Sequence, residues 1–140
     1  LGVAFLNNNE VSKIVEEVTS DMFFDERNRY IFNAIKSLHE SKTPIDVTTL
    51  RNELDKDKKF NAVGLDYITD VIDSVVTSAN LDFYIKIIKD YAIRRNLIET
   101  ASDIITTTYD EEDVNSLLDN AEKNILEQEV LEILYLLVKF

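Results

Sequence analysis

The stretch from Thr77 to Tyr109 contains neither Gly nor Pro, the two residues that most strongly interrupt a helix. Thr77 and Ser78 are types that cap helix N-termini, so we predict one helix over about 78–108. At 1.5 Å per residue it spans roughly 45 Å, more than a small domain's diameter, so part of it should project from the core. Its apolar residues recur mostly three and four positions apart, as on a helix face: Leu81, Tyr84, Ile85, Ile88, Tyr91, Ala92, Leu97, Ile98, Ala101, Ile104 and Ile105.

Composition sets the class of fold and limits the partners. Only 2 Gly and 1 Pro occur in 140 residues, too few for the turns of a strand-rich protein, so we predict an all-α chain. The formal net charge of −12 predicts weak or no direct DNA binding, because phosphate contacts require Lys and Arg. Cys is absent, which excludes disulfides and thiolate metal sites and is compatible with a cytoplasmic location. No signal peptide or membrane-spanning run is visible, and a start at Leu1 suggests a fragment of a longer protein.

Capping residues predict the other helices. The apolar residues Phe23 and Phe24 are expected to pack onto the first turn of the helix that follows them. Gly64 precedes a predicted helix over Leu65 to Val75. The capped helices are these: Asn9 before Val11 to Val18, Asp25 before Glu26 to Glu40, Asp46 before Val47 to Leu54, and Asp113 before a helix over about 113–128.

The predicted organisation is a small globular helical head, residues 1–76, followed by a projecting antiparallel helical hairpin, residues 77–129. Within the hairpin, Leu81 to Ile88 should close the head, and Leu97 to Tyr109 should pair with Val114 to Ile125. Two helices leave apolar surface uncovered, so the hairpin either self-associates or folds back on the head, and we favour self-association. The predicted association surface comprises Tyr84, Ile88, Tyr91, Arg94, Arg95, Leu97, Ile98, Ile105, Leu117, Leu118 and Ile125.

Two other segments allow more than one interpretation. Residues 130–140 form an atypical apolar tail, too short to span a bilayer. It is either a vector-derived or altered terminus or a helix extension buried in a neighbour. In the basic cluster of Lys86, Lys89, Arg94 and Arg95, three members have an acid four residues away, which favours an exposed helix face with ion pairs over a subunit contact or a DNA contact.

No catalytic, cofactor-binding or metal-binding residue is predicted. Gly2 and Gly64 are the only glycines and no GxxxxGK[ST] motif occurs, so this stretch should not hydrolyse ATP. His39 is the only histidine, and a lone histidine is far more often a solvated surface residue than a metal ligand. The acidic run Asp110 to Asp113 lacks the spacing of a calcium loop and is read as a solvated turn.

Several segments, in their order and spacing, resemble the N-terminal domain of the DnaB-type bacterial replicative DNA helicase. The resemblance covers roughly Leu1 to Glu127, while residues 130–140 depart from the linker expected there. The matching segments are Leu1–Gly2, FFDERNRYIFNAIKSL (Phe23 to Leu38), TPIDVTTLRNEL (Thr43 to Leu54), VGLDYITDVIDSVVTSANLDFYIKIIKDYAIRRNLIETASDI (Val63 to Ile104) and SLLDNAEKNI (Ser116 to Ile125).

The resemblance implies that the hairpins pair, as dimers or a trimer of dimers, into a collar of the hexameric full-length protein. It implies recruitment of primase and, in some species, of a helicase loader. ATP and Mg²⁺ would act in a separate motor domain. An alternative is the helicase-binding C-terminal domain of a primase, although YAIRRNLIETA after TSANL fits the helicase better. A third reading, an enzyme of unknown type, has no residue pattern in its favour.

Overall fold

The computed structural model describes the backbone of residues 1–139 and the side chains of residues 1–128 and Leu137. The described residues form helices joined by turns, with no strand, which confirms the all-α prediction. They form two compact units, Leu1–Lys89 (unit 1) and residues 90–140 (unit 2), and helix α7 contributes to both. The helices are α1 (Gly2–Leu6), α2 (Val11–Glu17), α3 (Glu26–Glu40), α4 (Val47–Lys56), α5 (Phe60–Val63), α6 (Leu65–Asp73), α7 (Leu81–Asp110) and α8 (Val114–Lys139).

Three of the predicted side-chain caps are confirmed, and Gly64 precedes α6 as predicted. The Asp25 carboxylate accepts the backbone N–H of Arg27 at 2.9 Å, at the start of α3. At α4, Asp46 accepts the backbone N–H of Thr49, and Thr49 Oγ1 accepts the backbone N–H of Asp46 in return. Asp113 accepts the N–H of the second residue of α8 at 3.1 Å. Each cap satisfies a helix N–H that would otherwise lack a partner.

Two predicted helix starts are wrong. Asn9 lies inside a 3-10 turn, Asn8–Glu10, whose cap is Asn7, and α2 begins at Val11. The long helix does not begin at Thr77 or Ser78, because Thr77 Oγ1 accepts the N–H of Ala79 in a separate turn. At the start of α7, the Tyr84 N–H donates to the Asn80 carbonyl at 3.0 Å. The long helix therefore runs over Leu81–Asp110 rather than 78–108.

Helix α8 continues past its predicted end at 128 to Lys139, so the backbone of the apolar tail is helical over 130–139. Leu137 is exposed. The remaining side chains of the tail, and Phe140 altogether, lie outside the described residues. The origin and the role of the tail therefore stay predictions. Its assignment as a segment separate from the hairpin also stays a prediction.

The core of unit 1 is centred on α3. The spacing of its apolar residues predicts an inward face of Ile31, Ala34, Ile35 and Leu38, and all four are buried. Phe32 is buried too, which the spacing did not indicate, and its ring centroid lies 5.6 Å from that of Phe23. Phe24 is 78% exposed, so the predicted packing onto the first turn of α3 is wrong for Phe24, whereas Phe23 joins the core.

Polar contacts between distant segments fasten elements of unit 1 together. The Asn8 side chain accepts the N–H of Ile45 at 2.7 Å and donates to the Ile45 carbonyl at 3.3 Å. Lys13 on α2 forms an ion pair with Asp82 in the first turn of α7, and this hydrogen bond raises the pKa of Lys13. Neither contact could be predicted from the sequence, because the partners lie far apart along the chain.

The first turns of α7 complete the core of unit 1, as predicted. Leu81 and Ile85 are buried, and Tyr84 and Ile88 are half-buried against the same core. Lys89, expected on an exposed basic face, is only 7% exposed, so that placement is wrong. The cluster of four basic residues is therefore divided between buried and exposed positions of the helix.

Gly2 permits the close approach of α1 to α6. A Cβ atom built at Gly2 would lie 2.5 Å from the Val71 carbonyl oxygen and 2.7 Å from Val75 Cγ2. We expect Gly2→Ala to lower the free energy of unfolding by about 1–3 kcal/mol, because backbone must shift to make room. Urea titration followed by circular dichroism measures the loss. The exposed change Thr48→Ala in α4 is the control, and equal midpoints for the two variants would show that α1 tolerates the methyl group.

Candidate association surface

Three apolar side chains form an exposed line along the part of α7 that belongs to unit 2. Tyr91, Ile98 and Ile105 lie seven residues apart, close to two full turns at 3.6 residues per turn, and therefore share one face. Their side chains are 59%, 67% and 62% exposed. Arg94 is exposed on this face between Tyr91 and Ile98, and its guanidinium carbon lies 5.8 Å from the Tyr91 ring centroid. We call Tyr91, Arg94, Ile98 and Ile105 the α7 stripe.

Helices α7 and α8 share a narrow cleft within unit 2. They are joined by the short turn Glu111–Asp113, so they run antiparallel, as predicted for a helical hairpin. Ile104, Leu117 and Ala121 are half-buried at the cleft. The lining residues are Asp103, Ile104, Thr107 and Thr108 from α7, and Leu117, Asn120, Ala121 and Asn124 from α8.

The spacing of the apolar residues predicts a single apolar face on α8, made of Val114, Leu117, Leu118, Ala121 and Ile125, but the structure divides these residues between two faces. Leu117 and Ala121 line the cleft, whereas Val114, Leu118 and Ile125 are exposed. Leu118 and Ile125 are again seven residues apart. Helix α8 therefore has its own line of exposed apolar side chains beside the face that contacts α7.

Unit 2 has almost no interior of its own. Among its described side chains, from Asp90 to Gln128, only Ala92 is buried. Fully burying a Leu or Ile side chain stabilises the folded state by about 1.5–3 kcal/mol. Unit 2 gains little stability in this way, because so few of its side chains are buried. Its large apolar side chains are instead available to a partner surface.

The predicted association residues occupy four kinds of position. Tyr84 and Ile88 lie against the core of unit 1, and Leu117 lies in the cleft. Arg95 is partly exposed. The others are exposed: Tyr91, Arg94, Leu97, Ile98, Ile105, Leu118 and Ile125.

Tyr109 and Val114 were not predicted as part of the surface, although they are 87% and 63% exposed. Both lie next to the turn that joins α7 and α8. Their nearness to the acidic turn was the sequence signal that could have indicated their exposure.

The part of the chain that carries this apolar surface is strongly acidic. Residues 90–140 carry four Lys and Arg against twelve Asp and Glu, a formal charge of −8. The turn carries Asp110, Glu111, Glu112 and Asp113, in which the Glu111 carboxylate accepts the Asp113 N–H at 3.0 Å. In the part of the chain that the structure describes, no three His, Cys, Asp or Glu side chains are placed to hold a metal ion. None of the described helices is long and apolar enough to cross a membrane.

This all-α architecture matches a solved structure, the N-terminal domain of DnaB helicase from Mycobacterium tuberculosis. The TM-score is 0.84, and the match covers 91% of this chain and 90% of that one. The sequences are 24% identical, so this comparison establishes the fold alone.

Sequence comparison supplies the family. A family model described as the DnaB-like helicase N-terminal domain matches residues 1–90. The chain is 36% identical over 129 residues to replicative DNA helicase DnaC of Bacillus subtilis, and 30% identical over 129 residues to replicative DNA helicase DnaB of Geobacillus stearothermophilus. These matches cover 91% of this chain but only 28% of either helicase. The chain belongs to the family of DnaB-like helicase N-terminal domains.

Proposed function

We propose that this chain is the assembly and partner-docking domain of a hexameric replicative DNA helicase, acting in the cytoplasm. In this proposal the hairpins of neighbouring copies pair through the α7 stripe, as dimers or a trimer of dimers, and build a collar beside the motor. ATP and Mg²⁺ would act in a motor domain outside this chain, and this domain would contact DNA weakly or not at all.

The observation that carries the proposal is the exposure of the α7 stripe in a unit with almost no buried side chain. Family membership gives the helicase context, and the exposed apolar line supplies a surface suited to a second copy. Paired helices with apolar residues at seven-residue spacing bury such lines against each other. The second exposed line, at Leu118 and Ile125 on α8, would widen the contact.

Recruitment of primase, and in some species of a helicase loader, is the second part of the proposal. The alternative drawn from the sequence was the helicase-binding domain of a primase. The matching family model describes a helicase N-terminal domain and the named relatives are replicative DNA helicases, which favours the helicase domain over the primase domain. In the proposed complex the primase is therefore the partner and this chain its docking site.

Sedimentation equilibrium of the chain from about 1 to 100 µM tests the assembly role. We expect a reversible monomer–dimer or larger equilibrium with a dissociation constant in the micromolar range, typical of small interfaces formed by a single helical surface. Co-elution with the cognate primase on size exclusion tests docking. A chain that stays monomeric throughout and does not bind primase would contradict the proposed function.

A further inference from the structure

Arg94 is the unexpected member of the α7 stripe, and the inference drawn from it rests on the proposed pairing of hairpins. If two stripes pack together, Arg94 is covered along with Tyr91 and Ile98. An arginine side chain is not deprotonated in proteins, so it keeps its charge when it is covered. A covered guanidinium therefore requires an acceptor, because an unpaired buried charge is strongly unfavourable.

Unit 2 offers many acceptors and few cations. Arg94, Arg95, Lys123 and Lys139 are its only basic residues, against twelve acidic ones. Two such units repel each other, so favourable charge contacts across the interface must come from this small set. Arg94 is the member that lies in the α7 stripe, and its contact with the Tyr91 ring orients the guanidinium along that face.

We infer that Arg94 sets the register of hairpin pairing by donating hydrogen bonds to a carboxylate of the second copy. The planar guanidinium offers paired N–H groups that match a carboxylate in one geometry. Alignments that bring an apolar side chain opposite Arg94 are unfavourable, whereas the alignment that brings a carboxylate there is selected. A single polar residue in an otherwise apolar pairing face specifies register and oligomeric state in coiled coils in the same way.

Two substitutions of Arg94, compared with the same change at Lys123, test the inference by sedimentation equilibrium and velocity. Lys123 is exposed on α8, outside its line of exposed apolar residues, so Lys123→Glu makes the same change in net charge away from the proposed contact. We expect Arg94→Glu to weaken pairing about tenfold or more, as for other arginine contacts central to an interface, and Lys123→Glu to weaken it less than about threefold. Arg94→Leu should still associate, but as a mixture that includes larger species.

The outcomes separate this inference from the proposed function. A wild-type chain that is monomeric at every concentration overturns both. A wild-type chain that pairs, together with Arg94→Glu and Lys123→Glu variants of equal affinity, overturns the role of Arg94 and leaves the pairing intact. A single discrete dimer of Arg94→Leu would also count against a register-setting role. Unchanged helical circular dichroism for all three variants shows that the effects arise in association rather than in folding.

Discussion

Replacing Phe32 with alanine is expected to lower the free energy of unfolding of unit 1 by about 3–5 kcal/mol. Phe32 is 2% exposed in the middle of α3, and its ring lies against Phe23. The surrounding residues belong to packed helices that cannot move far enough to fill the space left by the ring. The loss therefore combines the transfer energy of the ring with the cost of a cavity. Urea titration followed by circular dichroism measures it.

The matched control makes the same substitution at a surface position of unit 1. Phe83 is 63% exposed on α7, so Phe83→Ala should change the free energy of unfolding by less than about 1 kcal/mol. Equal losses for the two variants would mean that Phe32 does not lie in the core described here.

The second large effect concerns association rather than stability. We expect Ile98→Asp to weaken self-association by about 100-fold or more, because a carboxylate placed within an apolar contact loses its hydration without gaining a partner. Ile98 is exposed in the single chain, so the thermal unfolding midpoint of the variant should differ little from that of the wild type. Sedimentation equilibrium measures the affinity, and a thermal melt followed by circular dichroism checks the fold.

Thr106→Asp is the control for that substitution. It adds the same charge to the same helix at an exposed position outside the α7 stripe, and its dissociation constant should remain within about threefold of the wild type. Equal weakening by the two substitutions would show that general charge repulsion, rather than the apolar stripe, controls association.

Local sequence signals predicted every described α-helix except the short α1 and α5, and several of the helix starts. Asp25, Asp46 and Asp113 are short acidic side chains that can reach a free N–H in the next turn, and this chemistry requires no distant partner. The inward face of α3 could also be predicted, because a helix packed against one core shows a regular spacing of apolar residues. The all-α class followed from the scarcity of Gly and Pro.

The association surface could be predicted only in part, because spacing identifies a face but not what covers it. Tyr84 and Tyr91 lie seven residues apart on α7, yet Tyr84 is half-buried against the core of unit 1 and Tyr91 is exposed. Leu117 and Leu118 are neighbours in sequence, and only Leu117 lines the cleft. The burial of Lys89 and the bonds between Asn8 and Ile45 depend on tertiary packing, which no local pattern encodes.

The central claim is that the α7 stripe is covered by a second copy of the chain. The chain has no Cys, so a single cysteine at position 98 or 106 can be labelled alone with a thiol reagent. We predict that the labelling rate of the Ile98→Cys variant falls as the protein concentration rises from about 1 to 100 µM, while that of the Thr106→Cys variant stays constant. Constant rates at both positions across that range, in a chain that sedimentation shows to associate, would contradict the claim.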